Sequence, residues 1–160
     1  MAQEIERKFL VKDTSWQSEV VKRTAMRQGY IDTVGLTTVR VRLQDDQAYL
    51  TIKGATRGIS RSEFEYAIPC EDAVAMLDEL CEGRRLEKVR HLVAHGAHCW
   101  EIDVFEQDNA GLVVAEIELA RPDEHFERPE WLGEEVSDDP RYYNANLVSH
   151  PYARWAQKQA

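Results

Sequence analysis

Seven stretches of this chain alternate charged or polar residues with apolar ones, and their charges repeatedly fall as like-signed neighbours two positions apart. They are EIERKFLV (Glu4 to Val11), TTVRVRLQ (Thr37 to Gln44), AYLTIKG (Ala48 to Gly54), RSEFEYAI (Arg61 to Ile68), RLEKVRHLVAH (Arg85 to His95), HCWEIDVFE (His98 to Glu106) and LVVAEIELA (Leu112 to Ala120). A period of two is the signature of a strand whose faces meet different surroundings. An eighth stretch, AMRQGYID (Ala25 to Asp32), reads as a strand without that charge pattern. Polar and glycine-marked connections, such as Asp45-Asp46, the loop at Gly58 and QDNAG at Gln107 to Gly111, suit antiparallel neighbours. The fold expected is α+β but mainly β: an eight-stranded antiparallel barrel or strongly curved sheet with helices packed outside.

One helix is expected between the fifth and sixth strands. Pro69 stands near its start, Glu71 and Asp72 load the first turn, Val74, Leu77, Leu80 and Cys81 keep helical spacing, and Gly83 follows the end. The tail from Asp138 to Gln157 reads as one or two helices, with Pro140 at a start and Pro151 at a break. The 160 residues are expected to form a single domain with its core in 3–120 and a C-terminal helical segment over 138–158.

Charge decides what such strands do. In an ordinary half-buried sheet the charges face water and the aliphatics face a core. A surface shaped only for solubility would mix signs, because like charges side by side repel. Here Arg40 accompanies Arg42, Glu63 accompanies Glu65, Lys88 accompanies Arg90, and Glu116 accompanies Glu118. Gathered on one surface, Glu4, Glu6, Glu63, Glu65, Glu101, Asp103, Glu116 and Glu118 would offer oxygen ligands to hard divalent cations. Lys8, Arg40, Arg42, Lys53, Lys88 and Arg90 would offer donors to phosphate oxygens. The two sets together suit a polyphosphate bound with Mg²⁺ or Mn²⁺. Alternation alone does not choose whether the charged faces point inward or outward.

Several function classes are disfavoured. A net charge of -9 argues against a general nucleic-acid binder. No apolar run approaches the roughly 20 residues of a membrane span, and the acidic start at Glu4 does not resemble a secretory signal. The three cysteines, Cys70, Cys81 and Cys99, form no C-x-x-C pair and read as buried thiols of a cytoplasmic protein. His95 and His98 flank Gly96 in a turn, with His91 upstream and Cys99 adjacent; without a second cysteine pair, the two turn histidines read as solvated rather than as part of a zinc site. No G-x-S-x-G frames a nucleophilic serine. Trp16, Trp100, Trp131 and Trp155 read as packing residues, and so do Tyr142 and Tyr143, although closure of a tunnel mouth is open to the latter pair.

The opening EIERK, followed in order by VRVRL, TIKG, SEFEY, EKVRHL, WEIDVF and AEIEL, resembles the CYTH superfamily, the triphosphate tunnel metalloenzymes. That resemblance implies an eight-stranded tunnel with the charged faces inside. It implies Lys8, Arg40, Arg42, Lys53, Lys88 and Arg90 as phosphate-binding bases, and Glu4, Glu6, Glu116 and Glu118 as metal-binding carboxylates. Glu63, Glu65, Glu101 and Asp103 are further acidic tunnel positions, and Glu4, Glu6 and Lys8 are the residues expected to carry catalysis. The implied reaction is hydrolysis of a small-molecule triphosphate with two divalent ions, Mg²⁺ or Mn²⁺, and without a protein nucleophile. A chain with only Met1, Ala2 and Gln3 before the glutamates, and little beyond the tunnel, is most economically an inorganic triphosphatase. Thiamine triphosphatase, class IV adenylate cyclase and a non-enzymatic nucleotide- or polyphosphate-binding module are the alternatives. No nucleic-acid or membrane partner is expected, and a homodimer is open.

Overall fold

The computed structural model describes residues 3–155. Positions 1–2 and 156–160, the end of the expected tail segment among them, lie outside the described residues. Strands β1 (Gln3–Val11), β2 (Val20–Ile31), β3 (Thr38–Gln44), β4 (Gln47–Lys53) and β5 (Ser60–Ile68) precede helix α1 (Cys70–Glu79). Strands β6 (Arg85–His95), β7 (His98–Phe105), β8 (Val113–Glu118) and β9 (Leu132–Glu135) follow, then the single-turn helix α2 (Asn144–Leu147).

Eight strands close a barrel in the order β5-β4-β3-β2-β6-β7-β8-β1, sealed where Gln3, Glu4 and Ile5 pair antiparallel with Ser62, Arg61 and Ser60. The expected eight-stranded antiparallel barrel is therefore present. A ninth strand, which the sequence reading left out, runs along the free side of β1, pairing Phe9 with Glu135 and Val11 with Leu132. At four residues, LGEE offers too little alternation to be read as a strand. Tight turns set the registers: Gln44 pairs with Gln47 across Asp45 and Asp46, with Asp45 in the left-handed region at φ 52°.

The barrel is inside out relative to an ordinary sheet. Ile5, Phe9, Trp100, Ile102, Ala115 and Ile117 face outward and form the main core with Trp16, Phe126, Trp131 and Leu132. Phe9 and Trp100 meet edge to face at 5.6 Å, and Trp100 and Trp131 at 5.5 Å. Most of this cover is not helical. It comes from the irregular segment 120–131 and from the 3₁₀ turn Ser15–Glu19, which carries Trp16. Helical packing outside is confined mainly to α1, whose Ala73 and Leu77, with Cys81 beyond its end, sit on Val41 and Ala48 of β3 and β4. The approach is close: a Cβ on Gly29 of β2 would lie 2.7 Å from the Cys81 Cβ.

Three expectations are corrected here. Val74 and Leu80 are exposed, because a helix of ten residues resting on a narrow patch buries only the Ala73–Leu77 stripe. Of the cysteines only Cys81 is buried; Cys70 is half-buried and Cys99 exposed. The tail is not a pair of full helices but 3₁₀ turns at Pro140–Tyr142 and Tyr152–Arg154 around α2. Extended backbone at Tyr143 separates the first turn from α2, and Pro151 bars continuation beyond His150. The tail is anchored by burial of Tyr142, Leu147, Tyr152 and Trp155 against Leu86, Phe105, Leu112 and Val114. No helix among the described residues is long and apolar enough to cross a membrane.

Candidate active site

Inside the barrel is a cavity of about 940 Å³. Every site residue singled out in the sequence lines it except Asp103, which lies 1% exposed beneath Lys88 and Arg90. Strand alternation accounts for the convergence: residues 4, 6 and 8 of β1, 40 and 42 of β3, 63 and 65 of β5, 88 and 90 of β6, and 116 and 118 of β8 share the inner face.

On β1, β6, β7 and β8 the charges are interleaved. Lys8 Nζ donates to Glu6 at 3.0 Å and to Glu116. Arg90 donates twice to Asp103, at 2.8 and 2.9 Å, and once each to Glu101 and Glu116. Lys88 Nζ donates to Asp103 at 2.7 Å. Burial opposes ionisation of Glu116, but Lys8 and Arg90 outweigh it and hold the carboxyl well below the usual range. Burial likewise opposes charge on Asp103, and Arg90 and then Lys88 overcome it. Because Arg90 claims Asp103 twice, Lys88 is only partly compensated. Burial lowers its pKa to about 7 against the pull of Asp103, and the Arg90 and Arg42 charges act in the same direction as burial.

At the β1–β5 seam, Glu4 accepts from Lys53 at 3.0 and 3.1 Å and from Arg61 at 3.2 Å. Burial works against its charge, yet Lys53, a hydrogen bond with Glu63 and Arg61 hold it ionised at about 2. Glu63 takes the opposite course: burial and then the bond to Glu4 push it up to about 7, so the two carboxyls share one proton near neutrality.

Two kinds of unmet charge remain. Glu6 stands directly across from Glu118, and Glu101 across from Glu116. The carboxyls of Glu6, Glu101 and Glu118 are all raised, first by burial and then by neighbouring carboxylates, chiefly Glu116 for the first two and Glu4 for the third, against the pull of Lys8, Arg90 and Lys53. Such a cluster is short of positive charge, and its oxygens suit a hard divalent cation. As arranged, no three His, Cys, Asp or Glu side chains among the described residues already form a cation cage, since Glu4 and Glu116 are turned onto lysine and arginine. The converse holds for the bases of β3. Arg40 Nε is buried without a hydrogen-bond partner. Arg42 is pulled down to about 9, first by burial and then by Arg40 and Arg90. Its Nε donates to the neutral oxygen of Gln28. Carboxyls whose basic neighbours do not offset their burial thus share one cavity with guanidinium groups that carboxylates do not fully pair, a donor set that suits a metal–polyphosphate complex.

The sequence reading missed other residues of the cavity wall. Lys22, Thr24, Met26 and Tyr30 of β2 line the cavity, and Arg23 and Arg27 are exposed, so Lys22 at the start of the strand is its one charged residue on the inner face among the described residues. Arg61, Tyr143 and Asn144 also reach the cavity; Arg61 is in phase with Glu63, a signal available in RSEFEY. Tyr142 is core, as expected, whereas Tyr143 lines the cavity and donates to the Ser137 carbonyl at 3.2 Å. All four tryptophans are buried in packing. Of the turn histidines, His98 bonds Glu124 at 2.5 Å and is not simply solvated, while His91 upstream is buried edge-on against Trp16.

A family model described as the CYTH domain matches residues 2–149. The inorganic triphosphatase of Acetivibrio thermocellus is 46% identical over 159 residues, covering 98% of this chain and 100% of that protein. The inorganic triphosphatase of Nitrosomonas europaea is 36% identical over 149 residues, covering 91% of this chain and 96% of its own length. The crystal structure of the inorganic triphosphatase NE1496 matches with a TM-score of 0.67 at 34% identity, over 93% of this chain and 96% of that one.

Proposed function

The chain belongs to the CYTH domain family, and from that premise we propose that it hydrolyses inorganic triphosphate to pyrophosphate and phosphate inside the barrel. The supporting observation is the coexistence, in one cavity, of carboxyls raised by burial and crowding with guanidinium groups that carboxylates do not fully pair, Arg42 resting on Gln28 and Arg40 keeping a buried Nε without a partner. Nearly full-length identity of 46% to a relative named inorganic triphosphatase supports the substrate.

Glu4, Glu6, Glu116 and Glu118 are the residues we assign to hold divalent cations, Mg²⁺ or Mn²⁺ and two in number, with Glu63, Glu65, Glu101 and Asp103 as supporting acids. Bound there, such ions supply charge neutralisation on phosphoryl oxygens and lower the pKa of an attacking water. Arg40, Arg42, Lys53, Lys88 and Arg90 hold the triphosphate oxygens, and Lys8 stabilises charge developing beside Glu6 and Glu116. The proton lost by water goes to Glu101, a raised carboxyl outside the set assigned to the cations. No protein nucleophile is required. Three unpaired cysteines accord with action in a reducing cytoplasm.

The test is phosphate release from triphosphate with Mg²⁺ or Mn²⁺ and with EDTA. We expect turnover only with the metal, and a loss of at least about 100-fold in kcat for Glu4→Gln or Glu6→Gln in proteins whose circular dichroism shows the barrel still folded. Near-normal turnover of Glu4→Gln at saturating Mg²⁺ sinks its assignment as a metal residue.

A further inference from the structure

Four side chains form a hydrogen-bonded chain across one end of the cavity. Lys88 Nζ donates to Asn144 Oδ1 at 2.8 Å, and Gln28 Nε2 donates to the same oxygen at 3.2 Å. Gln28 Oε1 in turn accepts from Arg42 Nε at 2.9 Å, while its amide nitrogen also reaches the Tyr30 hydroxyl at 3.1 Å. Both ends of this chain are donors only, since neither lysine nor arginine can accept. The Asn144 oxygen must therefore face Lys88, Gln28 must present its NH₂ to Asn144, and the Gln28 oxygen is left for Arg42. Every amide orientation is dictated by the two cations.

Neutral partners matter at this point. Lys8 and Arg90 are held by carboxylates that fix their position and cancel their charge, whereas Arg42 has no carboxylate partner and Lys88 has only Asp103, which Arg90 claims twice. An amide oxygen fixes a cation through its dipole and leaves the net charge intact, free to meet an anion. Gln28 is fully buried, so its amide has no solvent alternative. Asn144 comes from the tail, where Tyr142 and Leu147 anchor its helix in the core.

We propose that Gln28 and Asn144 are positioning residues that aim Lys88 and Arg42 at a terminal phosphoryl group of the substrate without neutralising them. This rests on the triphosphate reading above. The pair does not touch the reacting atoms; it acts through the two bases. Asn144 thereby makes the tail part of the anion site.

The experiment is calorimetric binding of inorganic triphosphate in EDTA, with steady-state kinetics on the same proteins. Asn144→Ala should weaken binding about tenfold, the loss expected for a hydrogen bond to a charged group. Asn144→Asp keeps the accepting oxygen but adds a negative charge, and should weaken binding more than Asn144→Ala does, raising KM more than it lowers kcat. Gln28→Ala should resemble Asn144→Ala, and the double variant should bind no more weakly than the poorer single one. Binding by Asn144→Asp as tight as wild type would mean that only the acceptor's shape matters and would overturn the proposal. So would an unchanged Asn144→Ala, or additive losses in the double variant. Melting temperatures of the Asn144 variants within a few degrees of wild type guard against misfolding, because Asn144 is only half-buried. Absence of phosphate release by the wild type with metal would overturn hydrolysis, and the binding results would still decide the positioning role.

Discussion

Across β1, β6, β7 and β8 the inward bases are matched to carboxylates, Lys8 to Glu6 and Glu116, Arg90 to Asp103, Glu101 and Glu116, Lys88 to Asp103. Across β2 and β3 they are not: Arg42 rests on the neutral Gln28, and Arg40 reaches only Thr51 and the more exposed Glu65, at 3.2 and 3.3 Å. Burying ions is costly on either wall, and pairing offsets the cost on one of them. On the other wall the cost is tolerated because the compensating anion is the substrate. The paired wall should therefore serve the fold first, and the unpaired wall binding first.

The largest expected effect lies on the paired wall. Asp103→Ala strips two buried cations, Lys88 and Arg90, of their shared partner. It should cost about 3–5 kcal/mol, the range for breaking a buried ion pair from one side. Urea denaturation measures this directly. A loss under about 1 kcal/mol would show that the paired wall is not a structural element and would erase the contrast.

The unpaired wall should respond in the opposite sense. Arg42→Met removes a desolvated cation that Arg40 and Arg90 repel, but strands the Gln28 oxygen. These terms oppose each other, so stability should stay within about 1 kcal/mol of wild type. Triphosphate affinity should fall by tenfold or more. A strongly destabilised Arg42→Met would mean that both walls are built for the fold.

The paired wall was legible in the sequence because its strands carry charge at every second residue, and the closed barrel followed from how many strands share the habit. Three things were not legible. Inside and outside are related by a one-residue phase, so EIERKFLV reads equally well with Glu4 in water or in a tunnel; like-signed pairs tilted that choice, and packing of Phe9 against Trp100 displays it. The second was β2, whose inner face beyond Lys22 consists of the uncharged Thr24, Met26, Gln28 and Tyr30, so nothing in AMRQGYID marks Gln28 as a partner of Arg42. The third was the tail. Asn144 lies 116 positions from Gln28, and only the fold brings their amides together. Local period reveals a wall; it does not reveal which neutral residues hold the cations in it.

The smallest effect separates the walls by pH. Glu63 on the β5 side has a folded pKa near 7 against an ordinary 4.5, because burial and its bond to Glu4 favour the protonated form. A carboxyl whose pKa rises on folding stabilises the fold fully below pH 4.5 and loses that contribution as pH climbs through about 7. Glu63→Gln presents a neutral donor to Glu4 at every pH and cannot lose it. In EDTA, the wild-type melting temperature should therefore fall relative to that of Glu63→Gln between pH 4.5 and 7. Parallel curves would mean that the proton is not held between Glu4 and Glu63. Glu116 on the paired wall provides the opposite sign, since Lys8 and Arg90 hold it ionised against burial. Its contribution is present above pH 4.5 and disappears as pH falls below that value. Replacing Glu116 by Gln should therefore flatten the acid limb of the stability curve, while Glu63→Gln flattens the limb approaching neutrality. Two carboxyls facing one cavity would then report, by opposite slopes, that the paired wall holds Glu116 ionised while the β1–β5 seam holds a proton between Glu63 and Glu4.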